Sequence, residues 1–315
     1  LDTGQEKTKQ AKPIYHLFIE NAIKLNPTYL SMIIPSRWFA GGFGLKDFRE
    51  KMLNDRRMKV LVDFENYKEV FNGPALAGGV CYFLWDKNYD GDCTVINSKE
   101  DEKIKNVRKL NEFPIFIRRN ESLSILRKVN KWIENNDAVV LSNKVSPIKP
   151  FGLPSNYVPK IDGVPCYFTR KIGKKFAYPE DITTRHELID KWKVLIPKAP
   201  IAGQTDLTKP IRFYHPENAF VAEPGTCCTE SWIVASHFDY KDEAKNFQSY
   251  LFTKIVRFLI LQTVVAQDVN SKNFIFVPDM DNYQVEFDDK KLQKLFKITN
   301  SEWEYIDSRI LPSSE

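Results

Sequence analysis

Along the first third of the chain, hydrophobic positions come in short blocks whose period changes from block to block. Between Leu30 and Phe39 the sequence reads LSMIIPSRWF. Leu30, Met32, Ile33, Ile34 and Pro35 are apolar, with Ser31 the exception, a pattern that suits a strand buried on both faces of a mainly parallel sheet. Pro35 cannot donate to a ladder and disfavours helix in the residue before it, so the strand is expected to end there. Ser36-Arg37-Trp38-Phe39 and Gly41-Gly42 then form a loop at a strand's carboxyl end, the edge of an open α/β sheet where ligands sit. Upstream, Ile14, Leu17, Phe18, Ala22 and Leu25 recur at 3.6-residue spacing and Pro13 suits a first helical turn, which predicts a helix from Lys12 to Leu25 ended by Asn26-Pro27. Downstream, Phe48, Met52 and Leu53 mark the buried side of a helix from Leu45 to Asn54. Val60–Phe64 and, past Asn72-Gly73-Pro74, Gly79–Trp85 are then expected to pair as strands. Leu30–Pro35 is expected at the centre of the sheet and Val80–Trp85 antiparallel near one edge, with Phe83 and Trp85 on one face and Tyr82 on the other.

From Asp86 to Lys109 the chain is polar and reads as a turn followed by a solvated charge run. Asp101 and Lys103 make the acidic-x-Lys pair of nucleases, but metal-dependent cleavage also needs an upstream acid on the same sheet edge, and the charge run is the preferred reading. Leu123, Ile125, Leu126, Val129 and Trp132 predict a helix over Asn120–Trp132 that bridges two domains. Beyond Asp137 the pattern breaks up. Prolines crowd the stretch from Pro147 to Pro216 and separate short β-prone pieces, Cys166–Thr169, Lys193–Ile196 and Ile211–Tyr214. Thr229–Phe238 reads as a strand, Lys241–Gln267 as one long helix and Asp288–Ile310 as two short ones.

With 315 residues, 43% hydrophobic and 28% charged, the chain is long enough for two globular domains. No apolar run approaches the ~20 residues that span a bilayer. Cys81, Cys93, Cys166, Cys227 and Cys228 show no Cys-x-x-Cys spacing, which suits reduced thiols in a cytoplasmic protein better than a disulfide framework, a zinc site or a redox-active Cys227-Cys228 pair. His16, His186, His215 and His237 stand at no metal-binding spacing, and no serine-hydrolase elbow or Walker loop occurs. No metal is expected. The net charge of +5 is uneven: residues 1–110 carry +3, residues 111–215 carry +8 and residues 216–315 carry −6. A basic middle section points to an anionic partner.

Four blocks in order then point to a family. Lys12-Pro13-Ile14-Tyr15-His16-Leu17-Phe18, IIPSRWF, Val60-Leu61-Val62-Asp63-Phe64 and Gly78-Gly79-Val80-Cys81-Tyr82-Phe83-Leu84-Trp85 resemble the adenine-N6 DNA methyltransferases of restriction–modification systems. The likeness is strongest to the type IIG group, in which methylation, recognition and cleavage can share a chain, and it covers residues 12–87. A looser likeness over residues 140–282 is to a target-recognition domain, carried by Pro150–Pro154, Val194–Lys198 and Gln267–Pro278. Enzymes of this family place a Gly-containing cofactor loop and an Asn-Pro-Pro-Tyr motif before the IIPSRWF strand. Neither is in this sequence, and Leu1-Asp2-Thr3-Gly4-Gln5 resembles the segment that follows the tetrapeptide.

The resemblance therefore implies an α/β fold: the C-terminal half of a Rossmann-like methyltransferase sheet (1–110), a connecting helix (111–138), a mixed α+β target-recognition domain (139–285) and C-terminal helices (286–315). It implies S-adenosylmethionine as cofactor of the complete enzyme, double-stranded DNA as substrate, and a missing N-terminal half supplied in cis or in trans. Tyr15, Phe18 and Ser36 would lie at the cofactor. Phe83, or else Tyr82 or Trp85, would stack on a flipped adenine, with Pro35 at the same catalytic edge. Lys144, Lys149, Arg170, Lys171, Lys174, Lys175 and Arg212 are expected to hold phosphates, and Asn156 and Gln204 to meet base edges. The competing reading is a stand-alone DNA-binding specificity module that docks a partner methyltransferase subunit.

Overall fold

The computed structural model describes residues 13–41, 44–72, 78–99, 102–201, 204, 206–264 and 268–313. Lys12, Gly42, Gly73, Pro74, Asp101 and Gln267, named above, lie outside the described residues, as does the segment 1–11. The chain divides into two compact units, Leu1–Leu123 and Ser124–Glu315.

The first unit is built on a five-stranded sheet. Its helices are α1 (Tyr15–Lys24) and α2 (Lys46–Asn54), and its strands are β1 (Tyr29–Pro35), β2 (Met58–Phe64), β3 (Val80–Asp86), β4 (Cys93–Lys99) and β5 (Glu102–Arg108). The strand order is β1-β3-β2-β4-β5. β3 runs antiparallel to both neighbours, with Tyr82 opposite Ile33 on β1 and Val62 on β2, while β2 and β4 are parallel. β1 is thus an end strand among the described residues, not the central one, and its residues alternate in exposure instead of being buried on both faces. Ile34 is buried, whereas Tyr29, Ser31 and Ile33 are exposed. The period of two explains this: Ile34 shares its face with Cys81, Phe83 and Trp85, which form one core with Ile19 of α1 and Phe48 and Met52 of α2.

The polar run 93–108 is not a solvated loop but the hairpin β4–β5. Cys93 and Val95 point into the core while Lys103, Lys105 and Val107 stand on the opposite face, so half a strand's apolar pattern is enough to hold it. Lysines on this edge strand also discourage further pairing.

The second unit carries α3 (Ser122–Asn135, which begins at the boundary), β6 (Val164–Tyr167), β7 (Lys174–Ala177), β8 (Trp192–Pro197), β9 (Phe220–Ala222), β10 (Cys227–Cys228), β11 (Trp232–Phe238), α4 (Lys241–Phe252), α5 (Lys254–Leu261), α6 (Asp289–Phe296) and α7 (Asn300–Arg309). Two three-stranded sheets, β10-β6-β7 and β11-β8-β9, are linked by loops rich in proline. The helix expected over Lys241–Gln267 is two helices. Thr253 takes an extended ψ of 145° and its hydroxyl accepts from the Val256 amide, capping α5 and stopping α4. Lys193 is fully buried on β8, and its ammonium donates to the carbonyls of Ile189, Lys191 and Glu223 at 2.9, 2.7 and 3.3 Å. Burial pushes its pKa down to about 8.

Candidate DNA-modifying edge and nucleic-acid interface

In the first unit the carboxyl ends of β1 and β2 meet the start of β3, and a buried ion pair organises them. Asp63 is 1% exposed. Arg118 grips it with both arms, Nε to Oδ2 at 2.6 Å and Nη2 to Oδ1 at 2.9 Å, and Nη1 donates to the Gly78 carbonyl at 2.8 Å. Ser36 Oγ donates to Asp63 Oδ1 at 3.0 Å, and the Ser36 amide donates to the Gly79 carbonyl at 3.1 Å. Burial raises the Asp63 carboxyl while Arg118 pulls it down, so the two groups depend on each other. Gly79 is required here. Its φ is +75°, and a Cβ would stand 2.2 Å from the Phe64 carbonyl and 2.7 Å from Arg118 Nη2. Behind the pair, burial and the Asp63 charge push the Cys81 thiol up to about 12, which leaves it unreactive.

This geometry changes several assignments. Ser36 is 3% exposed and its hydroxyl is committed to Asp63. Phe83 and Trp85 are 0% and 1% exposed. Packed in the core, neither offers a ring to a base, because the face they share is the one covered by α1 and α2. Tyr82 projects to the other face, exposed, with its ring 6.0 Å from that of Phe64. Pro35 ends β1 opposite Val80, half-buried beside the clamp.

Tyr15 packs edge-on against Phe48, and its hydroxyl is buried without a hydrogen-bond partner. Burial, then Cys81, raises its phenol above the ordinary range, opposed by Arg37 and Arg49. Phe18 is exposed on α1. For S-adenosylmethionine the fit is one-sided: Phe18 offers a ring to an adenine and Ser36 offers nothing, so these residues do not enclose the cofactor.

In the second unit the predicted phosphate-binding residues fall into two groups. Arg170 and Lys171 occupy the β6–β7 turn and Lys174 and Lys175 open β7, all exposed. Lys174 pairs with Glu223, whereas Arg170, Lys171 and Lys175 have no ion-pair partner among the described residues. Arg212 is half-buried; desolvation and then the charge of Arg170 hold His215 below its ordinary value, opposed by Glu217, with Arg212 adding to the effect. Lys144 and Lys149 are different. They pair with Asp279 and with Glu230, which neutralises them in place. The Gln204 amide donates to the Pro210 carbonyl at 3.0 Å, and Asn156 is exposed.

The Asp63–Arg118 pair escaped the sequence reading. Its one signal is an aspartate inside the apolar strand VLVDF, and the arginine that answers it lies 55 residues on. Among the described residues there is no cluster of three His, Cys, Asp or Glu side chains able to hold a metal, and no helix is long and apolar enough to cross a membrane.

The mixed α/β architecture fits a methyltransferase-like fold. More narrowly, residues 1–71 match the family described as Eco57I restriction-modification methylase. A stretch of 96 residues is 38% identical to a protein of Mycoplasma pneumoniae (strain ATCC 29342 / M129 / Subtype 1) named "Uncharacterized adenine-specific methylase". That stretch is 30% of this chain and 22% of the Mycoplasma protein, so the chain spans about a fifth of the relative's length. The N-terminal part of the chain is thus similar to restriction–modification methylases.

Proposed function

We propose that this chain is part of a site-specific DNA methyltransferase of a restriction–modification system, of the type IIG kind, which moves a methyl group from S-adenosylmethionine to adenine N6. The observation that carries the reading is the methylase match of residues 1–71. It is supported by a sheet in which antiparallel β3 separates β1 from β2. On this reading the first unit is the C-terminal half of the catalytic sheet and the second recognises the DNA target.

The division of chemistry follows from the side chains. Adenine N6 is a weak nucleophile because its lone pair is delocalised into the ring, so it needs acceptors that hold its protons and a fixed approach to the methyl carbon. Asp63 is spent on Arg118 and cannot serve as such an acceptor. On this reading the acceptors and the cofactor loop belong to an N-terminal half. Its seat is the far edge of β1, which has no strand neighbour among the described residues and is flanked by exposed Tyr29 and Ile33. Tyr82 is the hairpin aromatic with a ring face to offer a flipped adenine. Arg170, Lys171 and Lys175 hold phosphates in the complete enzyme.

The test is methyl transfer from labelled S-adenosylmethionine to DNA by this chain alone and with the N-terminal half added. DNA binding without transfer by the chain alone, and transfer once both are present, is the expected result. In the complete enzyme, Tyr82→Ala should cut turnover roughly 5- to 150-fold, the range that one base–aromatic stack supplies, and Phe83→Ala should act through stability instead. Robust turnover by the chain alone, or none by the pair, overturns the reading.

A further inference from the structure

Beside the basic hairpin of the second unit lies a cavity of about 410 Å³, within the size range of small-ligand sites. Its walls include the rings of Tyr167, Phe220 and Trp232, and Arg170, Lys174 and Glu217 also line it. The ring centroids of Tyr167 and Phe220 are 4.9 Å apart at 54°, and those of Phe220 and Trp232 are 5.0 Å apart at 76°. Tyr167 and Phe220 are each partly accessible, with Lys174 over one ring face of Tyr167, while Trp232 is buried.

The walls are also fixed in advance. The Tyr167 hydroxyl donates to Glu223 at 2.6 Å, Lys174 sits 5.3 Å over the Tyr167 ring while paired to the same carboxylate, and Trp232 Nε1 donates to the Phe168 carbonyl. An occupant need not order these side chains, so little binding energy is lost on entry.

We propose that this cavity takes one unstacked nucleobase of the DNA, distinct from the adenine that is methylated, and that it prefers a base bearing an amino group. The proposal rests on the DNA-binding reading of the second unit. Flat aromatic walls suit any base. The unpaired cations Arg170, Lys171 and Lys175 suit the phosphates on either side of it. Glu217 supplies the preference: its carboxylate repels a bare phosphate and accepts from the exocyclic amine of cytosine or adenine, which thymine lacks. No feature of the linear sequence marks the site, because its walls come from β6, the start of β9 and the start of β11.

The experiment uses the full chain, 12-nucleotide single-stranded oligo-dC, oligo-dA and oligo-dT, and a mixed-sequence duplex, with affinity read by fluorescence anisotropy. The unaltered chain should bind oligo-dC and oligo-dA more tightly than oligo-dT. Phe220→Leu, which keeps apolar bulk and removes the flat ring, should weaken oligo-dC binding by at least about fivefold, and Glu217→Gln should narrow the gap between oligo-dC and oligo-dT. Photocrosslinking of the unaltered protein to oligo-dC carrying 5-iododeoxycytidine keeps the test decisive if Phe220→Leu misfolds, and the crosslinked peptide should contain Tyr167, Phe220 or Trp232. Crosslinks confined to other peptides, or a well-folded Phe220→Leu that binds oligo-dC as before, overturn the base site while leaving duplex binding intact. A chain that binds neither single strands nor duplex overturns the DNA-binding reading itself.

Discussion

The two units treat a buried cation in opposite ways. In the first, part-buried Arg118 is answered by full negative charge, the bidentate and buried Asp63 carboxylate, which also accepts from Ser36, with Glu65 3.7 Å away. In the second, buried Lys193 is answered by the dipoles of three carbonyls and no carboxylate. The first arrangement fixes loops at the sheet edge and uses up the polar side chains that a motif would assign to chemistry. The second fixes β8, while on the nearby hairpin Arg170, Lys171 and Lys175 stand exposed without an ion-pair partner among the described residues and Lys174 is held by Glu223. A polar residue in a matched motif is thus weak evidence of a site until its partners are known.

The comparison breaks most severely at Asp63. Asp63→Ala removes the bidentate partner of part-buried Arg118 and leaves it only the more distant Glu65, at 3.7 Å; it should cost about 3 kcal/mol of first-unit stability, whereas Asp63→Ala with Arg118→Met should regain much of it. Chemical denaturation read by hydrogen exchange, which separates the units, checks both. If the single and double variants are equally unstable, the pair is not a coupled one.

Lys193→Met should cost less, about 1–2 kcal/mol, because three carbonyls lose a donor but no charge is left behind. The same denaturation series, read on amides of the second unit, measures it. A stabilised variant would mean that burying the ammonium outweighs its three hydrogen bonds.

At the surface the contrast is between engaged and unengaged lysines. Lys171→Gln with Lys175→Gln should lower the log–log salt slope of DNA binding by about 1.8, roughly 0.9 for each phosphate that the chain no longer neutralises. Lys174→Gln should change it less, since Lys174 is already paired with Glu223. Equal effects would erase the distinction.

The smallest effect is a pH dependence local to this hairpin. Desolvation raises the Glu223 carboxyl, but hydrogen bonds from Lys174 and Tyr167 outweigh it and hold the group down to about 2, against an ordinary 4.5. A depressed acid stabilises the fold fully above its unfolded value and loses that contribution as pH falls toward the folded one. Amide protection in β6 and β7, corrected for intrinsic rates, should therefore decline between about pH 4.5 and 2 and stay flat there in Glu223→Gln.

Much of the secondary structure was legible because apolar periodicity marks it directly: α1, α2, β2 and β3 lie close to where the 3.6- and 2-residue patterns put them. The position of β1 was not legible. A run such as LSMIIP fits both a doubly buried strand and one that, like β1 among the described residues, is paired on one side and leaves some apolar residues exposed. β4–β5 carries no clear alternation, because β5 places Lys103 and Lys105 outward and Asn106 and Arg108, opposite Val95 and Cys93, inward. At the site, the alternation rule correctly split Tyr82 from Phe83 and Trp85, yet it could not say which face the helices cover. The Ser36 hydroxyl and the Asp63 carboxylate are neighbours in space and 27 residues apart in sequence, a relation that no local pattern carries.

The Asp63–Arg118 clamp also sets when the first unit can close during synthesis. Its aspartate emerges from the ribosome with β2, well before β3, β4 and β5 and the arginine that must meet it. Until residue 118 is out, the strands can assemble only by enclosing an unanswered carboxylate or by holding the sheet edge apart, and nascent chains of this kind expose apolar surface for as long as they wait. The end of this unit therefore lies beyond its last described strand, and a cut at residue 110 would release β1 to β5 with the Asp63 charge unanswered. A cut after residue 123 would release a sheet that can close.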